Sequence, residues 1–488
     1  MRDLLHGFLI SALLTAAAIF LAACSTVRQP SFAITHITVI DGTAGPPQPD
    51  MTVVVTGTRI LAIGPYGATT IPTEARIVDA TGKFLIPGLS DMHVHLTGAG
   101  EPGGSREFII PLLVANGVTT VRDMGGNVEL LKQLRREIDS GKRIGPEIFF
   151  TGPYLDGNPP SFQPSIVVQN VGEASAAVDR LWGDGVDFLK VQSRLQPGPY
   201  FAIARESRKL GARFVGHVPD SITAAEAAEA GQASIEHLTG ILLGCSSLES
   251  ELRAERIISG QKSQNAEAAR LQERLWLRKL LRSIDRQKTD ALVGVFARNR
   301  TWQVPTFPTL IHIGFVTLQT DLGSDWRLRY VPRGLQAIWT QGRVAQLEGY
   351  TSEDFALRQE VVKALLKVVG QMYVMGVPIM GGTDTAAPNV FPGFSLHEDL
   401  QFMVKAGLTP AGALQAATVR PAEFLRRTAD QGTIQAGKRA DLVVLDEDPL
   451  AGIENTTKIR AVVLNGKFLD RRDLDRLLGQ AEQYAAAH

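Results

Sequence analysis

Two histidines lie one residue apart in the stretch "GLSDMHVHLTG", directly after an apolar run. Because residues i and i+2 of a β-strand point to the same side, His93 and His95 are expected to project together from the end of a strand. Two imidazoles placed in this way can bind one metal ion. A buried histidine can equally serve only to complete a hydrogen bond, so the pair by itself leaves both interpretations open.

Three more side chains of metal-binding type lie at the ends of apolar runs elsewhere in the chain. His217 is in "RFVGHV", His237 is in "SIEHL" and Asp384 is in "PIMGGTD". Barrel enzymes place their chemistry at the carboxyl ends of parallel strands, which is where each of these residues is expected. Five candidate ligands that converge on one mouth favour a metal site over five separate structural roles.

The elements that must position these ligands alternate between strand-like and helical patterns after residue 85. Eight runs predict strands: "GLSDMHVH", "TTVRDMG", "EIFFTGPY", "DFLKVQ", "RFVGHV", "SIEHL", "WQVPTF" and "PIMGGTD". Helical stretches such as "NVELLKQLRREIDSG" separate them, an alternation that is typical of βαβ units on a parallel sheet. Eight such units predict an α/β fold of the (β/α)8 TIM-barrel type.

Short β-branched runs broken by Gly, Pro and Asp flank the barrel on both sides, and we expect them to pair into one small β-sandwich. The predicted organisation is a lipoprotein signal peptide at 1–24, a first β-sandwich segment at 31–87, the barrel at 88–425, a second β-sandwich segment at 426–470 and a C-terminal helix at 471–488. Within the barrel, residues 246–299 exceed the usual length of a loop and carry apolar residues at near-helical spacing, which predicts a helical insertion.

Arginines recur every four residues along this insertion, at Arg270, Arg274, Arg278, Arg282 and Arg286. Like charges at that spacing on a helix repel each other by a few tenths of a kcal/mol per pair, so the stripe needs an explanation. It could contact lipid headgroups or an acidic partner, or it could be an ordinary solvated face.

Composition sets limits on the function. The chain has 488 residues and a formal net charge of zero, so it has no general attraction to nucleic acid, and no nucleic-acid partner is expected. Cys24 and Cys245 are the only cysteines of the sequence. Cys24 falls in the signal segment described next, so no disulfide framework can hold the fold.

The N-terminal sequence predicts export. One early arginine is followed by an apolar run at 8–23, which is shorter than the ~20 residues that a membrane-spanning helix needs, although an uncleaved anchor remains the alternative. Residues 21–24, "LAAC", resemble the lipobox of bacterial lipoproteins. That resemblance implies cleavage before Cys24, lipidation of Cys24, and a protein anchored through its lipid in the outer membrane and facing the periplasm.

The quoted runs, together with "LQAATVRPAEFL" and "GTIQAGKRADLVVLDEDPL", resemble the amidohydrolase superfamily, and in particular its imidazolonepropionase-like and Xaa-Pro dipeptidase-like branch. The resemblance covers nearly all of 37–466 apart from the insertion. It implies two divalent metal ions at the mouth of the barrel. His93, His95 and Asp384 would hold the more buried ion, and His217 and His237 would hold the second.

Lys190, in "DFLKVQ", matches the position at which binuclear members of this superfamily carry a carboxylated lysine that bridges the two metals. N6-carboxylation of Lys190 is therefore implied, and a lysine paired with a neighbouring carboxylate is the alternative. Imidazole and carboxylate ligands suit zinc, so zinc is the expected ion. The sequence does not distinguish zinc from manganese or cobalt.

The expected reaction is hydrolysis of an amide-like C–N bond by metal-bound hydroxide, with Asp384 as the catalytic acid and base. A small, partly hydrophobic substrate, either an N-acyl amino acid or a dipeptide, is the first choice. A cyclic amide or lactone is the alternative on the same metal centre, and a non-catalytic binding lipoprotein is an interpretation from a different class.

Several polar and aromatic residues are candidate substrate contacts, namely Tyr154, Arg122, Arg194, Trp302 and His397. Two of them have alternative roles. Arg122 could form an ion pair with Asp123 that braces the barrel, while His397 could orient Asp384 or cap a helix.

Overall fold

The computed structural model describes residues 31–97, 105–259, 265–317 and 319–488. The predicted signal peptide at 1–24, with its Cys24, lies outside these residues. Among the helices of the described ranges, none is long and apolar enough to cross a membrane.

The strands of the described residues run in chain order from β1 to β17, and the site is built on β6 to β14. They are β1 (Ser31–Val39), β2 (Gln48–Thr56), β3 (Arg59–Pro65), β4 (Arg76–Asp79), β5 (Phe84–Pro87), β6 (Leu89–Val94), β7 (Val118–Asp123), β8 (Glu147–Phe150), β9 (Tyr154–Asp156), β10 (Ser165–Val167), β11 (Leu189–Val191), β12 (Phe214–Gly216), β13 (Ser234–Glu236), β14 (Trp302–Val304), β15 (Leu442–Leu445), β16 (Ile459–Leu464) and β17 (Lys467–Leu469).

The helices follow the same order, and most of them separate consecutive strands of the barrel region. They are α1 (Ser105–Ala115), α2 (Val128–Asp139), α3 (Val171–Gly183), α4 (Pro197–Leu210), α5 (Ala224–Glu229), α6 (Ile241–Gly244), α7 (Glu249–Ser259), α8 (Ala266–Arg282), α9 (Arg286–Asn299), α10 (Phe307–Phe315), α11 (Arg333–Leu347), α12 (Ser352–Val374), α13 (Phe394–Ala406), α14 (Pro410–Ala416), α15 (Val419–Phe424) and α16 (Arg471–Ala487), with 3-10 turns at Trp326–Tyr330 and Ile453–Thr457.

The two terminal β segments form one sheet with the strand order β17-β16-β15-β5-β1-β2-β3, in which β4 also pairs with β1. The segments meet where β15 pairs antiparallel with β5, with Leu442 opposite Pro87. Side chains of both segments, including Ile34, Val53 and Val444, share one apolar cluster. The pairing of the terminal segments is therefore present as a single hydrogen-bonded sheet, and its closure into two stacked layers stays a prediction.

The predicted barrel strands form two parallel sheets, β6-β7-β8 and β10-β9-β11-β12-β13-β14. The third predicted run, "EIFFTGPY", is divided into β8 and β9 because Gly152, between them, has a φ of +70° that a strand does not accommodate. A backbone hydrogen bond of 2.9 Å from the Asp187 N–H to the Phe150 carbonyl joins this divided strand to the segment that leads into β11.

The last predicted run, "PIMGGTD", is not a regular strand. Ile379 of this run forms a single parallel bridge to β14, and Thr385, directly after the run, forms one to β6. Asp384 has a φ of +66°, which is incompatible with extended backbone, so the predicted strand does not extend to the last residue of this run. The Asp384 N–H nevertheless donates to the His93 carbonyl at 2.8 Å, so the end of this run lies directly beside the end of β6.

The predicted insertion is helical and consists of α7, α8 and α9 in its described part. Its arginine stripe contacts acidic groups of the same chain. Arg274 donates to both carboxylate oxygens of Asp354 at 2.9 and 3.1 Å, and Arg278 pairs with Glu353. Both acids lie in the first turn of α12, so intramolecular ion pairs offset much of the repulsion along the stripe.

Candidate metal centre

Three of the predicted ligands meet where β6 ends. The Nε2 atom of His95 is 3.2 Å from Oδ1 of Asp384, and the Nε2 atom of His93 is 3.4 Å from the same oxygen. One ligand atom from each of these three residues lies within 4.8 Å of the others, a spacing that suits a shared metal ion. The structure thus brings these three predicted ligands together.

His217 and His237, which directly follow strands β12 and β13, complete the cluster. The His237 ring centroid is 4.5 Å from that of His93 and 5.0 Å from that of His217. His237 has a φ of +56°, so the chain turns sharply at this residue directly after β13. All four imidazoles that the sequence singled out therefore lie side by side at one end of the parallel sheets.

Each of the four imidazoles uses its Nδ1 atom to contact a protein oxygen. The contacts are His93 to Glu236 Oε2 at 2.9 Å, His95 to the Gly125 carbonyl at 3.2 Å, His217 to Ser193 Oγ at 2.9 Å, and His237 to Thr306 Oγ1 at 2.7 Å. Such contacts are typical of metal-binding histidines, because they fix the ring and leave Nε2 as the ligand atom. The arrangement therefore suits four Nε2 ligands.

Lys190 projects into the same cluster from β11. Its Nζ atom is 3.2 Å from Nε2 of His93, and the residue is 1% exposed. Within the described part of the chain, no carboxylate oxygen lies within 4.0 Å of this Nζ, so the alternative of a salt-bridged lysine does not match the geometry. Burial lowers the pKa of Lys190 to about 8, which makes the neutral amine accessible near neutral pH.

The electrostatics of the cluster favour a divalent cation. Burial lowers the pKa of His237 to about 4 and holds the pKa values of His93 and His217 well below their usual range. Burial alone would raise the pKa of Asp384, but the nearby His237, His95 and Lys190 outweigh it and lower this pKa below its ordinary value. Neutral imidazoles beside an ionised carboxylate form a donor set that suits zinc.

A buried network supports the cluster from below. Arg122 donates from Nη2 to both oxygens of Glu236 at 2.9 and 3.0 Å, from Nη1 to Ser234 at 3.1 Å, and from Nε to the Met92 carbonyl at 2.7 Å. Arg122 and Glu236 are both 0% exposed. Arg122 therefore lies beneath the histidines instead of at the mouth, and its ion-pair partner is Glu236 rather than the predicted Asp123.

Sequence reasoning missed two acidic residues next to the ligands. Glu236 directly precedes His237, and its position in "SIEHL" was the available signal. Asp91 lies two residues before His93, on the same side of β6. It accepts hydrogen bonds from the Thr383 N–H at 3.0 Å and the Thr383 hydroxyl at 2.7 Å, which holds the Asp384 segment against β6.

Two other candidate substrate contacts lie away from the cluster. Trp302 begins β14, at the opposite end from the ligands, and its ring packs against Phe424 with centroids 5.6 Å apart. His397 is buried, with Nδ1 3.0 Å from the Thr456 hydroxyl and Nε2 3.2 Å from the Asn116 carbonyl. Since both ring nitrogens have partners there, His397 does not orient Asp384.

Two candidates do lie on the ligand side. The Tyr154 hydroxyl is 3.5 Å from Nδ1 of His95, and burial raises the pKa of this phenol above its usual value. Arg194 is exposed four residues after Lys190, just beyond the end of β11. Tyr154 therefore lies beside the cluster, and Arg194 follows the strand that carries Lys190.

Comparison with known sequences gives partial matches. A profile of the amidohydrolase family matches residues 356–469. The imidazolonepropionase of Shouchella clausii is 32% identical over 145 residues, which cover 28% of this chain and 30% of that protein. The imidazolonepropionase of Fusobacterium nucleatum is 26% identical over 177 residues, which cover 33% of this chain and 39% of that protein. These matches therefore span well under half of each curated relative.

Comparison with solved structures extends over most of the chain. A protein of Bifidobacterium longum described as a prolidase is 25% identical with a TM-score of 0.66, and the match covers 93% of this chain and 99% of that one. A bottromycin amidohydrolase shares the fold at 21% identity, with a TM-score of 0.73 and coverage of 94% and 91%. The chain therefore carries a region similar to the amidohydrolase family at residues 356–469 and shares its fold with these solved structures over most of its length.

Proposed function

We propose that this chain is a hydrolase of amide-like C–N bonds that works with two divalent metal ions, in the first instance zinc. The observation that carries the proposal is the common arrangement of the four imidazoles, each fixed through Nδ1 by a protein oxygen. A purely structural histidine has no need of such matched orientation, whereas a metal ligand does.

The residues divide into two ligand sets in this proposal. His93, His95 and Asp384 would hold one ion, and His217 and His237 would hold the other. Lys190 would bridge them after its neutral amine adds to CO₂, forming a new N–C bond and releasing one proton. When bound, divalent ions of this kind polarise a carbonyl group and lower the pKa of water from 15.7 to about 7.

Asp384 is the residue that moves the proton. Its carboxylate is ionised at neutral pH, because its neighbours hold its pKa below the ordinary value. It can accept the proton of the attacking water and return it to the leaving nitrogen, a role that contributes roughly 10²- to 10⁴-fold to the rate in enzymes. The contacts of Asp384 with His93 and His95 keep the carboxylate at the reacting centre.

The scaffold in this proposal is a closed (β/α)8 barrel. Hydrogen bonds link the divided third strand to β11, and the Asp384 segment contacts β14 on one side and β6 on the other. These links support closure of the barrel, since each of the eight predicted runs then has a neighbouring run on both sides.

The proposed substrate is an N-acyl amino acid or a dipeptide. The structural relative described as a prolidase supports a peptide-like amide as the bond that is cleaved. A cyclic amide is the second candidate, favoured by the partial match to imidazolonepropionases. A lactone remains a third test compound on the same centre.

The test uses the zinc-reconstituted chain with a panel of N-acyl amino acids, dipeptides, cyclic amides and lactones. We expect turnover of acyclic amides, a loss of roughly 10²- to 10⁴-fold in kcat for Asp384→Asn, and retained metal in that variant. Asp139→Asn, on the exposed end of α2, is the matched control and should keep full activity. Hydrolysis of lactones alone, or full activity in Asp384→Asn, would contradict the proposal.

We also propose that the protein is an exported lipoprotein of the outer membrane. The support is the sequence at 21–24 and the apolar run before it. Metabolic labelling with a palmitate analogue should label the wild type and Cys245→Ser but leave Cys24→Ser unlabelled. An unlabelled wild type would remove this part of the proposal.

A further inference from the structure

The loops that follow β9 and β11 carry two exposed side chains that the proposed reaction does not use. Phe162 is 58% exposed, so its ring is open to solvent. Arg194 is exposed, and in the described residues no carboxylate oxygen lies within 4.0 Å of its guanidinium group. These two loops are called the rim below, and their aromatic ring and cation are groups that can bind a ligand.

The buried carboxylate of Asp156 holds these two loops together. Its Oδ1 atom accepts hydrogen bonds from the backbone N–H groups of Gly157 and Arg194, both at 2.9 Å, and its Oδ2 atom accepts one from the Ser161 N–H at 2.6 Å. Asp156 is 0% exposed. Because charge-assisted hydrogen bonds of this kind are strong, the backbone on both sides of the rim is fixed.

Gly157 permits the close approach of the two loops. A Cβ atom at this position would lie 2.0 Å from the carbonyl oxygen of Arg194, a distance that no side chain allows. The glycine therefore lets the loop that carries Phe162 lie directly against the backbone of Arg194. The rim is built from a close fit between the two loops.

Both sides of this rim lead to metal ligands. The Phe162 ring is 6.5 Å from that of Tyr154 between centroids, and the Tyr154 ring is 6.3 Å from that of His95. On the other side, Ser193, which precedes Arg194, contacts His217. Ring contacts thus connect the exposed Phe162 to His95, and the residue next to Arg194 contacts His217.

We propose that Phe162 and Arg194, clasped by Asp156, form a recognition subsite for an apolar or aromatic group that carries a carboxylate. This inference rests on the proposed function and narrows its substrate class to N-acyl amino acids with large apolar side chains. Arginine matches a carboxylate through two parallel hydrogen bonds, and an exposed aromatic ring offers a face on which an apolar side chain can pack.

The test compares three amides that differ by one group each. N-acetylphenylalanine carries both groups, N-acetylphenethylamine lacks the carboxylate, and N-acetylalanine lacks the phenyl ring. Arg194→Gln should raise KM about tenfold for the two carboxylates and leave N-acetylphenethylamine unchanged, since an arginine-carboxylate contact contributes on that order. Phe162→Ala should raise KM several-fold for the two phenyl compounds alone. In each case kcat should change little.

Arg180→Gln is the matched control, because Arg180 is an exposed arginine on the outer helix α3. It should leave all three KM values unchanged. Equal KM values in the wild type and Arg194→Gln for N-acetylphenylalanine would overturn the subsite. So would an equal rise for N-acetylphenethylamine, because the effect would then be independent of the carboxylate.

Binding of 3-phenylpropanoate, measured by calorimetry on the zinc-loaded chain, separates this inference from the proposed function. Binding that Arg194→Gln weakens about tenfold would support the subsite even if the wild type hydrolyses none of the amides, in which case the proposed function fails alone. Binding that is equal in both proteins would overturn the subsite even if hydrolysis is observed.

Discussion

Arg122 and Arg194 belong to the same set of candidate substrate contacts by sequence, yet the fold gives them opposite surroundings. Arg122 is 0% exposed and donates to Glu236, Ser234 and the Met92 carbonyl. Arg194 is exposed at the rim with no carboxylate partner among the described residues. The comparison separates a support beneath the candidate ligands from a residue of the proposed substrate subsite.

This difference predicts different kinds of damage from similar substitutions. Removal of a buried, fully bonded charge leaves its partner without compensation, so the cost falls on folding and on the ligand it orients. Removal of an exposed cation affects only what binds there. Changes beneath the cluster should therefore act on stability and metal affinity, whereas changes at the rim should act on KM.

The largest expected effect on stability comes from Arg122→Met. The variant leaves the carboxylate of Glu236 buried and without its cation, which should lower the free energy of unfolding by about 3–5 kcal/mol. Urea unfolding measures this change. Arg194→Gln is the control and should stay within about 0.5 kcal/mol of the wild type. Similar small losses in both variants would remove the distinction between the two regions.

The next effect concerns metal affinity. Glu236→Gln removes the charge that orients His93 and should weaken metal binding by about 10- to 100-fold, as changes to such supporting groups commonly do. Competition with a fluorescent chelator measures this affinity without reference to activity. Glu129→Gln, whose side chain is 77% exposed on α2, should bind metal like the wild type. Unchanged affinity in Glu236→Gln would mean that Glu236 does not position His93.

Buried titratable groups outside the site should make the free energy of unfolding depend on pH, and His397 is the clearest case. Burial lowers its pKa to about 4, so between pH 6.5 and 4 the unfolded chain binds the extra proton and stability falls as pH falls. From pH 7 to pH 5 the His397 contribution to this fall should be about 2 kcal/mol. The free energy of unfolding of His397→Gln should fall between these two pH values by about 2 kcal/mol less than that of the wild type. An identical fall in both proteins would contradict the prediction.

The smallest expected effect is at the exposed ion pair of the insertion. Arg278 and Glu353 have side chains that are 39% and 41% exposed. Arg278→Gln should lower the free energy of unfolding by less than about 1 kcal/mol, since surface pairs contribute little. A loss comparable to that of Arg122→Met would show that exposure does not separate strong from weak charge pairs in this chain.

The sequence could predict which histidines the fold brings together, because strand geometry is local. Alternation along β6 places His93 and His95 on one side, and strand ends bring distant residues to one mouth. It could not predict the partner of Arg122, because Glu236 lies 114 positions away and neither "TTVRDMG" nor "SIEHL" shows which side chains face inward together. Likewise, Glu353, the partner of Arg278, lies 75 positions further along the chain.

The irregular Asp384 segment was harder to predict for a different reason. The run "PIMGGTD" has the composition of a buried strand, but the left-handed backbone at Asp384 depends on tertiary contacts with β6. Asp91 supplies some of them by accepting hydrogen bonds from Thr383. Backbone geometry that distant residues impose is not encoded in local propensity.

The most direct test of the central claim is the metal content of the zinc-loaded, desalted chain, measured with and without Lys190→Ala. If two ions are held by the two proposed ligand sets with Lys190 between them, the wild type should contain about two zinc ions per chain. Lys190→Ala should lose both metal and activity. A wild-type chain that hydrolyses its substrate equally well after complete metal removal would contradict the claim. So would a Lys190→Ala chain that retains both ions and full turnover.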